Sequence, residues 1–199
     1  MLEDELLPPK HRLARIVADN AQRLKRIVDD VLAVAPGAAG PAVAMDASAD
    51  VAQVCDDWRR SAAPELQAAH RLVYELPAQA LRVRFDSEHL RRVLVNLLDN
   101  AARHASGEPG AVRLMLINGP GPGAVSLSVA SDGEAIALDV ERHLFEPFFS
   151  TRSRGSGLGL YICRELCERH GASIDFRLAP PGVRHRNLFQ VVMRAADVA

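Results

Sequence analysis

The chain has 199 residues, of which 48% are hydrophobic and 25% charged, and its formal net charge is −1 at pH 7. These proportions are typical of a globular protein, and the near-neutral balance excludes a general basic surface for nucleic acid. The sequence contains no apolar run long enough to span a membrane, and residues 1–5 are too acidic for a signal peptide. We therefore expect a cytoplasmic location.

Residues 8–34 begin with a pair of prolines and have apolar residues at heptad spacing. The apolar seam is Leu13, Val17, Asn20, Leu24, Ile27, Val31 and Val34. Alternating steps of four and three predict a long helix whose apolar stripe needs a partner helix. Pairing between two chains is favoured over docking onto the same chain. Asn20 on the seam can fix the register of such a pair.

Small residues and prolines fill residues 36–41 and predict a linker. The linker divides an N-terminal helical segment, residues 1–35, from a globular domain, residues 42–199. Strands are predicted at 42–46, 71–76, 81–85, 111–117, 124–130, 172–178 and 187–194, and helices at 50–63, 87–104 and 157–170. Because strands and helices do not alternate strictly, the order predicts an α+β fold with helices on one face of the sheet.

Three glycines alternate in residues 155–160 (GSGLGL), at the start of the predicted helix 157–170. Glycines let the backbone approach a ligand closely, and a helix N-terminus carries a partial positive charge. Such a run can hold phosphate. Its spacing is neither the GxGxxG of a dinucleotide site nor the GxxxxGK[ST] of a P-loop.

Two asparagines, Asn96 and Asn100, lie one turn apart on the predicted helix 87–104 and therefore share a face. Asparagine prefers helix caps, so a pair in a helix interior invites a functional interpretation. An amide oxygen can complete a magnesium shell otherwise built from phosphates and waters. Solvent exposure, or hydrogen bonding of the amides to the sheet, is the structural alternative.

Four motifs follow one another along the chain: Asn96 to Asn100, the turn at Gly133, the Phe-rich run 145–149 (FEPFF) and the glycine run 155–160. In this order they resemble the N, G1, F and G2 boxes of the Bergerat-type (GHKL) ATP-binding domain of sensor histidine kinases, shared more distantly with gyrase, Hsp90 and MutL. The resemblance implies a two-layer α/β sandwich, a mixed sheet covered by helices on one face, preceded by a long N-terminal helix. That helix resembles the second helix of the dimerisation and phosphoacceptor hairpin, and its sequence is similar to that of pilus- and nitrogen-regulating sensors.

The resemblance covers roughly residues 42–195 and implies ATP and Mg²⁺ as cofactors. Asn100 is implied as the magnesium ligand, and residues 138–154 as a mobile lid. The implied nucleotide contacts are Asn96, Asn100, Arg103, His104, Ser131, Asp132, Gly133, Ile136, Thr151, Arg152, Gly155, Ser156, Gly157, Leu158, Gly159 and Leu160. Phosphoryl transfer needs this kind of positioning, a metal and fixed N–H donors, more than covalent chemistry by the domain.

Position 96 separates the subfamilies. The resemblance implies that relatives which hydrolyse ATP carry a glutamate there, which activates water, whereas Asn96 cannot accept that proton. Neutral imidazole is already nucleophilic, so transfer to histidine demands less of a base. Asn96 therefore favours a histidine kinase over a gyrase- or Hsp90-type ATPase.

The G1 box departs from the family pattern Asp-x-Gly-x-Gly, whose Asp is implied to accept the adenine amino proton. Ungapped alignment puts Ser131 at the Asp and Ala135 at the second Gly, whereas a shift of one residue brings in Asp132. Ser131 lacks charge, and a charge-assisted hydrogen bond is about twice as strong as a neutral one. The hypothesis is ATP binding with weakened selection for adenine, and a regulatory nucleotide-binding module without kinase activity is the alternative.

The phosphoacceptor box, a His followed by an acidic residue and soon by Pro, does not occur in this sequence. His11, the N-terminal histidine, is followed by Arg12 and Leu13. We expect a catalytic fragment that binds Mg-ATP but does not phosphorylate itself. Its expected partners are a phosphoacceptor hairpin, a response-regulator receiver domain and a second copy of the chain, in a two-component phosphorelay whose full-length kinase is anchored in the bacterial inner membrane.

Overall fold

The computed structural model describes residues 43–61, 71–151 and 156–196, together with the single positions Val17, Ala21 and Val28. Those three positions are helical. The rest of the predicted N-terminal helix, the linker at 36–41, and Arg152 and Gly155 of the predicted site lie outside the described residues.

The described strands are β1 (Val43–Asp46), β2 (Leu72–Glu75), β3 (Arg82–Phe85), β4 (Val112–Asn118), β5 (Ala124–Ser131), β6 (Ser173–Leu178) and β7 (Asn187–Arg194). Five of them form one mixed sheet in the order β2-β4-β5-β7-β6, in which the β2–β4 pair is parallel and the other pairs are antiparallel. The strands β1 and β3 form a separate antiparallel ribbon, which a bridge between Val83 and Ala195 joins to the end of β7.

The described helices are α1 (Ala47–Ser61), α2 (Ser87–His104), α3 (Leu138–Glu141) and α4 (Gly159–Arg169). The predicted bounds of α2 are confirmed, because the Asp86 side chain caps the helix by accepting a hydrogen bond from the N–H of His89 at 2.9 Å. Helix α1 begins at Ala47 rather than at residue 50, because Asp46 Oδ1 accepts from the N–H of Ser48 at 2.9 Å. Hydrogen bonding by the last residue of β1 thus starts α1 directly after the strand.

Helix α4 begins at Gly159 rather than at residue 157. Gly157 has a φ of 68°, in the left-handed region, so the chain cannot be helical there. The predicted end of the helix at Gly171 is confirmed: its φ is 66°, and its N–H donates to the carbonyl oxygen of Glu168 at 3.0 Å. A left-handed glycine directly after a helix closes its last carbonyls.

The hydrophobic core lies between the five-stranded sheet and the helices α1, α2 and α4. On β5 the residues Val125, Leu127 and Val129 alternate toward this core and are almost fully buried. On α2 the buried stripe is Leu90, Val93, Leu94, Leu97, Leu98, Ala101 and Ala102. Burial of each large apolar side chain stabilises the fold by about 1.5–3 kcal/mol. The predicted α+β sandwich with helices on one sheet face is confirmed.

The three cysteines, Cys55, Cys163 and Cys167, are free and buried, as expected for reduced thiols packed in a core. Burial raises the pKa of the Cys55 and Cys167 thiols to about 12. Within the described ranges, none of the helices is long and apolar enough to cross a membrane.

Candidate nucleotide-binding site

The asparagine motif and the glycine run are in direct contact. Asn96 and Asn100 are half-buried on α2, and Asn96 Nδ2 donates a hydrogen bond to the carbonyl oxygen of Gly159 at 3.3 Å. Gly159 is the first residue of α4. Two motifs that lie far apart in the sequence therefore meet where the C-terminal half of α2 passes the start of α4.

Gly157 joins the glycine run to the Phe-rich segment. A Cβ atom at this position would lie 2.4 Å from the backbone carbon of Phe148, so both the space and the φ of 68° require glycine. Phe148 also has a left-handed backbone, with a φ of 64°, and its side chain is 75% exposed. Such a conformation costs energy for a bulky residue and concentrates at functional sites.

The N-terminus of α4 has no side-chain cap from its N-cap residue, Leu158. The Ser156 hydroxyl accepts a hydrogen bond from the Leu158 N–H at 3.3 Å, before the first helical residue. The first N–H groups of a helix lack carbonyl partners within the helix and carry the positive end of its dipole. This end of α4 can therefore bind phosphate oxygens.

The turn after β5 packs against the last turn of α2. A Cβ atom on Gly133 would lie 2.0 Å from the carbonyl oxygen of His104, so no residue other than glycine fits without moving the backbone. The G1 turn is therefore in contact with the asparagine-bearing helix, as the glycine run is. Three of the sequence motifs converge on the C-terminal half of α2.

The Asp132 carboxylate is occupied by partners within the chain. Its oxygens accept hydrogen bonds from the N–H and the hydroxyl of Ser106, each at 2.8 Å, and Arg184 Nη2 lies 3.4 Å from Oδ2. Burial alone would raise the pKa of Asp132, but the hydrogen bonds from Ser106 and Arg184 outweigh it and hold the pKa below its ordinary value. Asp132 thus acts as an anion that ties loops together.

Ser131 is the last residue of β5, directly before Asp132. It is 4% exposed and follows Val125, Leu127 and Val129 on the side of β5 that faces the helical layer. Its hydroxyl can both donate and accept a hydrogen bond. The geometry therefore favours Ser131 over Asp132 as the polar group of the G1 turn that is directed toward the helical layer.

Asn187 is a buried residue beside the G1 turn that the sequence motifs did not reveal. It is 3% exposed, begins β7 and pairs with Ser131 across the β5–β7 ladder. Its amide hydrogen-bonds the backbone of the turn at Gly133, Glu134 and Ile136. The alternation of the strand could have indicated it. Asn187 lies on the same strand face as Phe189, so a polar residue stands at a position expected to be in the core.

Five further predicted nucleotide contacts lie in the described part of the chain. Arg103 and His104 are exposed at the end of α2, and Arg103 Nη2 lies 3.5 Å from Asp99 Oδ2. Ile136 and Leu160 are half-buried, and Thr151 is exposed. Their contact with nucleotide stays a prediction, as does that of Arg152 and Gly155 outside the described residues.

The donor set fits magnesium that arrives with a nucleotide. Asn100 supplies a neutral amide oxygen, the kind of ligand that Mg²⁺ takes alongside phosphates and waters. Within the described part of the chain, no group of three or more His, Cys, Asp or Glu side chains could hold a metal ion.

A family model described as "Histidine kinase-, DNA gyrase B-, and HSP90-like ATPase" matches residues 85–195, which include α2, the G1 turn and the glycine run. The chain belongs to this family. Together with the sensor kinases to which the chain is similar, this match shows that the described fold carries the ATP-binding catalytic domain of the sensor histidine kinase type.

Curated relatives are sensor kinases. The chain is 33% identical over 176 residues to the sensor protein kinase PilS of Pseudomonas aeruginosa, covering 87% of this chain and 32% of PilS. It is 32% identical over 171 residues to the sensor histidine kinase ZraS of Klebsiella oxytoca, covering 85% of this chain and 36% of ZraS. The chain therefore spans about a third of the length of these relatives.

Solved structures agree with this assignment. Full-length ShkA in complex with AMPPNP superposes with a TM-score of 0.72 at 25% identity, covering 98% of this chain and 40% of ShkA. The mycobacterial sensor histidine kinase MprB superposes with a TM-score of 0.64 at 25% identity, covering 78% of this chain and 99% of MprB.

Proposed function

We propose that this chain binds Mg-ATP and transfers its γ-phosphoryl group to a histidine outside the chain, from which a response-regulator receiver domain takes it. The observation that carries the proposal is the hydrogen bond from Asn96 to Gly159, because it joins the asparagine helix to the start of α4. The AMPPNP complex of the structurally similar ShkA supports an ATP-type ligand.

In this proposal each motif has one task. The N-terminus of α4 and Gly157 hold the phosphates through backbone N–H groups. Asn100 holds Mg²⁺, which when bound neutralises phosphate charge. The G1 turn, with Ser131 and Gly133, receives the base. The proposed base-reading group is a neutral hydroxyl, which can satisfy either a donor or an acceptor on the base.

The proposed chemistry demands no general base from the protein at position 96. The Asn96 amide cannot take up a proton, and its Nδ2 group is engaged with Gly159. Histidine in its neutral form already presents a lone pair to the phosphorus atom. The domain therefore acts by holding the triphosphate in line with an incoming imidazole.

The proposed partners are a phosphoacceptor hairpin, a receiver domain and a second copy of the chain. The seam of the N-terminal segment supports pairing, since Val17 is 60% exposed and a heptad seam is stable when another helix covers it. We place this chain in the cytoplasm, as part of a longer kinase anchored in the bacterial inner membrane.

A regulatory nucleotide-binding module without kinase activity is the second candidate. Ser131 in place of the Asp of the G1 box favours it, because a neutral hydroxyl binds the base less strongly than a carboxylate. A gyrase- or Hsp90-type ATPase is a weaker candidate, since Asn96 stands where that chemistry needs a proton acceptor.

The test is phosphotransfer in trans. The chain is incubated with γ-labelled ATP, Mg²⁺ and the phosphoacceptor hairpin of the full-length kinase, with Asn100→Ala as the matched inactive control. We expect acid-labile label on the hairpin, none on the chain incubated alone, and none with the variant. ATP binding without transfer would support the regulatory module, whereas steady ATP turnover without a hairpin would support the hydrolase.

A further inference from the structure

Asn187 and Ser131 form a buried polar pair at the end of the sheet where the nucleotide is proposed to bind. They are directly opposite each other in the β5–β7 ladder and are 3% and 4% exposed, respectively. The neighbouring positions on the same side, Phe189 on β7 and Val129 on β5, are apolar core residues. A polar side chain at such a depth needs hydrogen-bond partners to offset the cost of its desolvation.

The partners of Asn187 are all backbone groups of the turn that follows Ser131. Asn187 Oδ1 accepts a hydrogen bond from the N–H of Ile136 at 3.0 Å. Its Nδ2 group donates to the carbonyl oxygens of Gly133 at 3.2 Å and Glu134 at 2.9 Å. A carboxamide has two donor hydrogens and one acceptor oxygen, so this side chain engages all of its polar atoms with one turn.

This turn has little freedom to move. It lies between Asn187 on one side and α2 on the other, where a Cβ atom on Gly133 would lie only 2.0 Å from the His104 carbonyl oxygen. A displacement of the turn by a few tenths of an ångström therefore changes its distance from the helix that carries Asn96 and Asn100. The side chain of Asn187 fixes that distance from the sheet side.

We propose that Asn187 is a positioning residue of the nucleotide site, which sets the turn 133–136 at the distance from α2 that the base requires. This inference rests on the proposed function, because it takes the G1 turn to be the base-binding end of the site. Asn187 does not touch the reacting atoms, and acts through the backbone of Gly133, Glu134 and Ile136.

The discriminating variant is Asn187→Asp, which keeps the shape and the acceptor oxygen but loses both donors to the turn. Its matched control is Gln190→Leu on the same strand. Gln190 lies on the opposite side of β7 from Asn187 and donates to the Ser126 hydroxyl at 2.7 Å, remote from the turn. Both variants lose part-buried side-chain hydrogen bonds made by β7, but only those of Asn187 reach the G1 turn.

Binding of Mg-ATP and of magnesium with inorganic triphosphate is measured by calorimetry. Asn187→Asp is expected to weaken ATP binding by roughly tenfold, the effect of one or two lost hydrogen bonds, while triphosphate binding stays unchanged because that ligand has no base. Gln190→Leu is expected to bind both ligands as the wild type does. Equal weakening of both ligands by Asn187→Asp, or no weakening of either, would overturn the inference.

The outcomes separate this inference from the function on which it rests. A wild-type chain that binds no nucleotide contradicts the proposed function itself, whereas tight ATP binding that Asn187→Asp leaves intact contradicts only the role of Asn187. If the variant does not fold, amide hydrogen exchange in the wild type provides the test. Exchange at the Ile136 N–H should slow when ATP saturates the site, and unchanged exchange there would overturn the role of Asn187.

Discussion

His89 Nδ1 and His170 Nε2 lie 2.8 Å apart, joining the first turn of α2 to the end of α4. Both rings are buried, 8% and 9% exposed, and the Phe85 ring centroid lies 4.3 Å from that of His170. A hydrogen bond between two imidazoles requires one nitrogen to donate and the other to accept. At least one ring of the pair must therefore be neutral, and the pair joins α2 and α4 at the ends opposite those that form the candidate site.

This pair predicts a loss of stability in mild acid. Burial is the main cause that lowers the pKa of both histidines, and each is further lowered by Arg169. Asp86 opposes these effects on both rings, and Glu88 and Arg92 act on His89 with opposite signs. The unfolded chain binds protons more readily than the folded one. The contribution of the pair to the free energy of unfolding should therefore be complete above about pH 6.5, and it should be lost as the pH drops through the folded-state pKa values.

The measurement is urea unfolding at several pH values between 7.5 and 5, compared with the double variant His89→Gln, His170→Gln. Glutamine does not titrate, so the variant is expected to show a flatter dependence of unfolding free energy on pH, and the other histidines are common to both proteins. Parallel pH profiles for the two proteins would show that the pair does not contribute.

Gly133→Ala should destabilise the fold by about 2 kcal/mol, because the added methyl group would lie 2.0 Å from the His104 carbonyl oxygen. Gly107→Ala is the matched control, since a Cβ atom there meets nothing within 4 Å. The control should stay within about 0.5 kcal/mol of the wild type in urea unfolding. A Gly133→Ala protein as stable as the control would mean that the turn and α2 are not packed together.

Selection of the base should depend on Ser131 and not on Asp132. Because a hydroxyl can donate or accept, the wild type is expected to bind GTP within about tenfold of ATP. Ser131→Asp should raise the preference for ATP by roughly tenfold, since a carboxylate accepts the amino proton but repels a carbonyl oxygen. Titration of both nucleotides measures this ratio. A strong adenine preference that Asp132→Ala abolishes and Ser131→Ala does not would refute the Ser131 assignment.

Local sequence signals were enough to predict the seven strands and the three longer helices of the described residues. The stripe of α2 has the helical period, and Asp86 stands where a cap is needed, so both ends of that helix were predicted. The short helix α3 was predicted only as part of a lid, because four residues are too few to show a period. The motifs at Asn96 and Gly159 identified the two helices that meet at the site.

Non-local pairing explains what the sequence did not reveal. Asn187 reaches the G1 turn only because β7 pairs with β5, and that pairing depends on the order of strands in the sheet. Likewise Asp132 was a possible base ligand until the fold brought Ser106 and Arg184 to its carboxylate. Such contacts join residues far apart in the chain, and no local propensity encodes them.

Titration of ATP with and without Mg²⁺, for the wild type and Asn100→Ala, tests the central claim most directly. Asn100 contributes an amide oxygen to the proposed metal shell, so the wild type should bind ATP about tenfold or more tightly when magnesium is present. Asn100→Ala should lose that gain while keeping its metal-free affinity and its fold. Magnesium-dependent affinity that survives the substitution unchanged, or the absence of ATP binding by the wild type, would contradict the account.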